Sequence, residues 1–118
     1  MRKFKDLEVW QLGMEIVEYV YQVSKELPLE EQYGLKSQIT RAAVSVPSNI
    51  AEGSAKSSTK EFKYYLERAL GSLYELETQL LLISKLGLSN SVDEKLLDKV
   101  DHEQRMLGSL ITRIRYNN

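Results

Sequence analysis

Apolar residues recur along this chain at intervals of three and four from one end almost to the other. That is the period of helices with one buried face, and nothing in the 118 residues alternates with the period of a strand. The pattern predicts helices over about residues 7–27, 33–53, 59–86 and 92–115, in a single domain. Short connections between helices of this length favour antiparallel neighbours, so the expected fold is all-α, an up-down-up-down antiparallel four-helix bundle. Asp6 is the expected N-cap of the first helix, and Pro28 ends it, because the residue before a proline resists the α conformation. Ser58 with Glu61, and Ser91 with Glu94, read as capping boxes opening the third and fourth helices. Gly87 suits the C′ position of the third.

The first helix carries two apolar stripes. One is Val9, Leu12, Ile16, Val20, Val23 and Leu27; the other is Trp10, Met14, Val17 and Tyr21. One stripe serves a bundle core, so the second predicts contact with another copy of the chain. The third helix has a heptad stripe, Phe62, Leu66, Ala69, Leu73, Leu76, Leu80 and Ile83, and the fourth carries Leu96, Val100, Leu107, Leu110 and Ile114.

The second helix poses a question at RAAVSVPSNIAEG, residues 41–53, which has a proline in its middle. The apolar face Leu35, Ile39, Ala42, Val46, Ile50 and Gly53 keeps its phase straight through Pro47. A helix kinked where Pro47 displaces the Ala43 carbonyl is therefore expected, with an irregular loop after Ser45 as the alternative. Its small residues Ala42, Ala43, Ser45 and Ser48 read as a surface for close helix packing. Beside the apolar face runs a polar one, Gln38, Arg41, Ser45, Asn49 and Glu52, matched on the third helix by Arg68, Ser72, Glu75 and Gln79. This is either a binding groove or a structural polar seam that sets helix register. The seam is preferred, with Arg41–Glu75 as its ion pair and Glu52 near Lys60 or Lys63.

Composition narrows the chemistry. With no cysteine there is no disulfide, thiolate metal site or cysteine nucleophile. The basic start MRKFKDLEVW is followed by no apolar signal-peptide core, and the run Leu80–Ser84 is too short for a membrane span, so a cytoplasmic location with no membrane role is expected. The single histidine, His102, lacks a second histidine or a Glu-x-x-His partner and reads as a surface residue. Glu75 and Glu77, two apart on a helix, cannot share a site. No phosphate loop or catalytic triad is present, so the chain is expected to be no enzyme, with no catalytic residue, metal or cofactor.

Formal net charge is only −1, but its placement is uneven. An up-down-up-down bundle gathers the N-terminus, the turn after Gly53 and the C-terminus at one end. That end holds Arg2, Lys3, Lys5, Lys56, Lys60, Lys63, Arg68, Arg105, Arg113 and Arg115 against Asp6, Glu8, Glu52, Glu61 and Glu67, five more basic residues than acidic. The opposite end gathers Glu26, Glu30, Glu31, Asp93, Glu94 and Asp98. A basic end can hold a phosphate backbone without reading sequence; the alternative is ordinary solubilising charge. The candidate nucleic-acid contacts are Arg2, Lys3, Lys5, Lys56, Lys60, Lys63, Arg113 and Arg115.

FKDLEVWQ (residues 4–11), YGLKSQITRAAVSVPSNIAEG (33–53), EFKYYLERALGSLYELETQL (61–80) and LGL (86–88) occur in order. Together they resemble the four-helix-bundle proteins encoded in 23S rRNA intervening sequences. The resemblance implies a left-handed up-down-up-down bundle assembled as a homopentameric ring, with no known enzymatic activity. A related branch, the accessory variability proteins of diversity-generating retroelements, binds nucleic acid and a protein partner through a basic surface. The combined expectation is a non-enzymatic oligomeric scaffold whose basic end contacts RNA or DNA weakly, beside a protein partner. The alternative is a protein–protein adaptor with no nucleic-acid role.

Overall fold

The computed structural model describes the backbone of residues 2–117 and the side chains of residues 2–114. It contains four long helices: α1 (Glu8–Glu26), α2 (Leu35–Ser54), α3 (Thr59–Lys85) and α4 (Glu94–Asn117). Each packs on two neighbours, in the cycle α1, α2, α3, α4 and back to α1. The pairings run antiparallel, one index falling as the other rises. Ser45 meets Ser72 while Gly53 meets Phe62, and Glu15 meets Lys99 while Glu26 meets Ser89. The resulting rod measures 46 × 23 × 20 Å. No helix among the described residues is long and apolar enough to cross a membrane.

The core is made by the predicted stripes. All seven residues of the α3 stripe are buried, as are Val9, Ile16, Val20, Val23 and Leu27 of α1, with Leu12 half-buried. On α4 Leu96, Val100 and Leu107 are buried, and Ile111 joins them, while Leu110 and Ile114 lie half-buried at the edge.

α2 is one continuous helix through Pro47, so the loop alternative falls. Proline has no N–H to give Ala43, a lost bond of the kind that costs roughly 3 kcal/mol in a helix interior. The packing tolerates it because Ala43, Val46, Pro47 and Ile50 are all buried against the neighbouring helices. Close approach is written into this helix. A Cβ at Gly53 would stand 2.6 Å from the Tyr65 Cβ, so only glycine lets α3 come this near.

The helix ends match expectation in part. Ser58 accepts the Glu61 N–H at 3.0 Å and donates to its carboxylate at 3.1 Å. At the far end of α3, Gly87 adopts φ +68°, with its N–H on the Ser84 carbonyl and that of Leu88 on Ile83, a Schellman closure. Two expected caps are corrected. Asp6 ends a short 3₁₀ turn, Phe4–Asp6, and the N-cap of α1 is Leu7, with no side-chain bond. The N-cap of α4 is Asp93, whose Oδ1 accepts the Leu96 N–H at 2.9 Å. Ser91 instead donates to the carboxylate of Glu26, which also accepts from Ser89 Oγ at 2.8 Å and the Asn90 N–H at 3.2 Å. Hydrogen bonds from Ser91 and Ser89 hold this carboxyl below its usual pKa, and they clip the α3–α4 loop to the end of α1.

Candidate nucleic-acid interface

The bundle end formed by the α2–α3 turn is built around aromatic rings. Arg2 crosses to the turn, donating from Nη1 to the Lys56 carbonyl at 2.9 Å, and its guanidinium lies 4.0 Å from the centre of the Phe62 ring. Phe4 packs edge-on against Trp10 with centroids 5.3 Å apart, which fixes the 3₁₀ turn carrying Lys3 and Lys5. Arg2, Lys3, Phe4, Lys5 and Asp6 border a shallow depression of about 330 Å³. Lys56 is half-buried with its ammonium 5.3 Å from the Tyr65 centroid. Lys60 is exposed and Lys63 half-buried on the first turns of α3. The N-terminal segment and the α2–α3 turn thus bring Arg2, Lys3, Lys5, Lys56, Lys60 and Lys63 to one end of the rod.

Arg113 lies beside this group, next to Asp6, which borders both depressions. It is exposed and borders a cleft of about 450 Å³ between the start of α1 and the end of α4, which it shares with Asp6, Glu8, His102 and Arg105. Arg105 pairs with Asp101 at 3.0 Å, one turn earlier on α4. His102 is exposed, as expected of a surface histidine. The side chain of Arg115 lies outside the described residues.

The polar seam is shorter than its sequence pattern. Its centre is closed: Ser45 Oγ and Ser72 Oγ are 2.8 Å apart across α2 and α3, and Asn49 Nδ2 donates to both the carbonyl and the hydroxyl of Ser45 at 2.8 Å. The expected Arg41–Glu75 ion pair is not formed. Both residues are exposed, and the ion pairs among the described residues are Lys99–Glu15 and Arg105–Asp101. The cause is register. With Ser45 opposite Ser72, Arg41 falls level with the buried Leu76 rather than with the exposed Glu75. Glu52 is exposed and pairs with neither Lys60 nor Lys63. Gln38 is exposed too, whereas Gln79 is buried with its Oε1 unpartnered. Arg68 leaves the seam for the tyrosines, 5.7 Å from the centroids of both Tyr64 and Tyr65.

One buried polar residue was not singled out by its pattern. Glu103 is 0% exposed, and neither carboxylate oxygen has a hydrogen-bond partner among the described residues. It occupies the core position between Val100 and Leu107 on α4. Its Oε2 lies 3.1 Å from where a Cβ on Gly13 would sit, and Pro47 ring atoms lie 3.6 Å from the same point, so α1, α2 and α4 converge on the carboxyl. Desolvation pushes its pKa up to about 8, so at neutral pH the group is mostly the uncharged acid. The interval of seven from Val100 to Leu107 was the available signal, since a helical face needs a residue midway. Fully enclosed, this carboxyl reaches no solvent-borne substrate.

On the outer side of α1 and α2, the second apolar stripe forms a groove. Trp10, Met14 and Val17 face Val44, Pro47, Ser48 and Ala51 across a volume of about 320 Å³, and Met14, Tyr21 and Val44 are each more than 40% exposed.

These features define an all-α four-helix protein with a basic, aromatic-lined end and a second apolar face. The model of the 23S rRNA-intervening sequence protein family matches residues 5–109, nearly the whole chain. The chain belongs to that family. Among curated proteins nothing matches it.

Proposed function

We propose that the protein is a non-enzymatic helical-bundle scaffold that self-associates and holds RNA or DNA weakly, independently of sequence, through the basic end. The observation that carries this reading is the gathering of six cationic residues, from Arg2 to Lys63, around the α2–α3 turn of a chain whose net charge is −1. Their fields add at short range, while the distant acidic end is screened beyond about 10 Å at ordinary salt. Contacts of this kind release counterions, so affinity falls steeply with salt. A filter-binding titration with structured RNA and single-stranded DNA tests it. Retention at low salt that disappears as salt rises is expected, and no retention at low salt ends the nucleic-acid reading.

Self-association is supported by the apolar groove between α1 and α2, which the monomer leaves open. A ring of five, as in the assembly the family resemblance implies, would repeat the basic end and multiply weak contacts by avidity. Light scattering at high protein concentration is expected to report an oligomer; a clean monomer would remove this part of the proposal. The same groove favours a second reading, a protein–protein adaptor with no nucleic-acid role, which the binding titration separates from the first. In either reading the protein works in the cytoplasm.

A further inference from the structure

We infer that the nucleic acid held at the basic end is single-stranded, with a base stacked on Tyr64 and phosphates on the cations beside it. This rests on the basic-end reading above and adds the class of strand.

The observation is a cation–aromatic stripe on the first turns of α3. Lys60, Tyr64 and Arg68 follow one another at intervals of four and therefore share one face of the helix. Tyr64 is 53% exposed, which core packing does not require of so large a ring. Its partner Tyr65 lies nearly perpendicular, centroids 5.2 Å apart, and is anchored in the packing beside Gly53. Arg68 holds the outer ring in place from its own side, its guanidinium 5.7 Å from the Tyr64 centroid and its Nη1 3.5 Å from the hydroxyl. Lys56 approaches the Tyr65 ring at 5.3 Å, and Lys63 lies on the same turn. The acids of this end are Glu61, engaged with Ser58 at the helix cap, and the exposed Asp6, Glu8, Glu52 and Glu67. They reduce the local field without reversing it.

An aromatic ring held open among cations matches the chemistry of an unpaired nucleotide. Every base offers a π-face to the ring, whatever the sequence, and the cations follow the backbone. In a duplex the bases are stacked on each other and cannot reach Tyr64, so a duplex meets the cations alone.

The test is fluorescence anisotropy with labelled oligonucleotides of one length: single-stranded RNA, single-stranded DNA and duplex DNA, each at about 50 and about 200 mM salt. Single strands are expected to bind more tightly than the duplex, and the two single strands show which source is preferred. Tyr64→Leu is expected to weaken single-strand binding roughly 5- to 150-fold, the value of one stacked base, and to leave duplex binding and the salt slope unchanged. Tyr64→Phe should retain single-strand binding. Lys60→Ala should weaken both strand classes and reduce the salt slope by about one. Tyr64 is an exposed position, and a thermal melt of Tyr64→Leu checks that the bundle is intact. Single-strand binding undiminished in Tyr64→Leu, or a duplex bound as tightly as single strands, overturns the stacking inference and leaves the basic end standing. No binding of any strand at the lower salt overturns the basic-end reading itself.

Discussion

The α2–α3 pair and the α1–α4 pair are built on opposite principles. Between α2 and α3 the polar groups at the middle of the contact satisfy one another, Ser45 with Ser72 and Asn49 with Ser45, and Gly53 lets the backbones close up. Between α1 and α4 the buried acid Glu103 has no hydrogen-bond partner among the described residues, and a cleft of about 450 Å³ lies between the start of α1 and the end of α4. A buried polar group that finds a partner costs little, whereas one that does not keeps its full desolvation penalty. The middle of the first contact is therefore satisfied, although the Gln79 Oε1 further along α3 is not, whereas the second contains a fully buried acid that opposes folding.

The largest expected effect breaks this contrast at Glu103. Its pKa is about 8 in the fold against an ordinary 4.5, so between those values the folded chain keeps a proton that the unfolded chain gives up. Stability should therefore be highest below about pH 4.5, as far as this group is concerned, fall as pH rises to about 8, and level off above it. Glu103→Leu removes the penalty and should raise stability by about 3 kcal/mol at pH 7. Glu103→Gln should flatten the slope across the window. Urea unfolding of the three proteins at pH 5 and pH 8 measures both; identical pH dependence in all three would refute the assignment.

Gly53 tests the other pair. The Cβ of Gly53→Ala would stand 2.6 Å from the Tyr65 Cβ, an atom fixed to the α3 backbone that cannot swing away. Overpacking of this kind costs about 1–3 kcal/mol, of which alanine's better helix propensity returns up to about 1. A fall in the urea midpoint without a change in slope is expected, and an unchanged midpoint would mean that the helices are not in close contact here.

A smaller loss, about 1 kcal/mol, is expected for Asn49→Ala, which removes two hydrogen bonds to Ser45 at a residue only 8% exposed. Smallest of all is Arg41→Ala. Because Arg41 is exposed and unpaired with Glu75, its loss should change stability by no more than about 0.5 kcal/mol. A melting temperature that drops as far as that of Asn49→Ala would restore the seam in its longer form.

What was legible in the sequence and what was not divides along a physical line. The four helices, the seven buried positions of α3, the Ser58 cap, the Gly87 closure and the passage of α2 through Pro47 all follow from intervals within one helix. Backbone hydrogen bonding imposes that period locally, so a single sequence carries it. That the N-terminal segment meets the α2–α3 turn was also legible, because helix direction alone decides which ends and turns meet.

Contacts that depend on the register between helices were not. A slip of one or two residues between α2 and α3 replaces Glu75 with Leu76 opposite Arg41, and no interval within either helix records that slip. The same holds for Arg68, which left the seam for Tyr64 and Tyr65, and for Ser91, drawn from a helix cap to Glu26. Glu103 is the sharpest case. Its position on the core face of α4 could be counted from the sequence, but its isolation is a property of Gly13, Pro47 and the enclosing helices together. Periodicity fixes which face a side chain occupies; only the packed neighbours decide whether it finds a partner there.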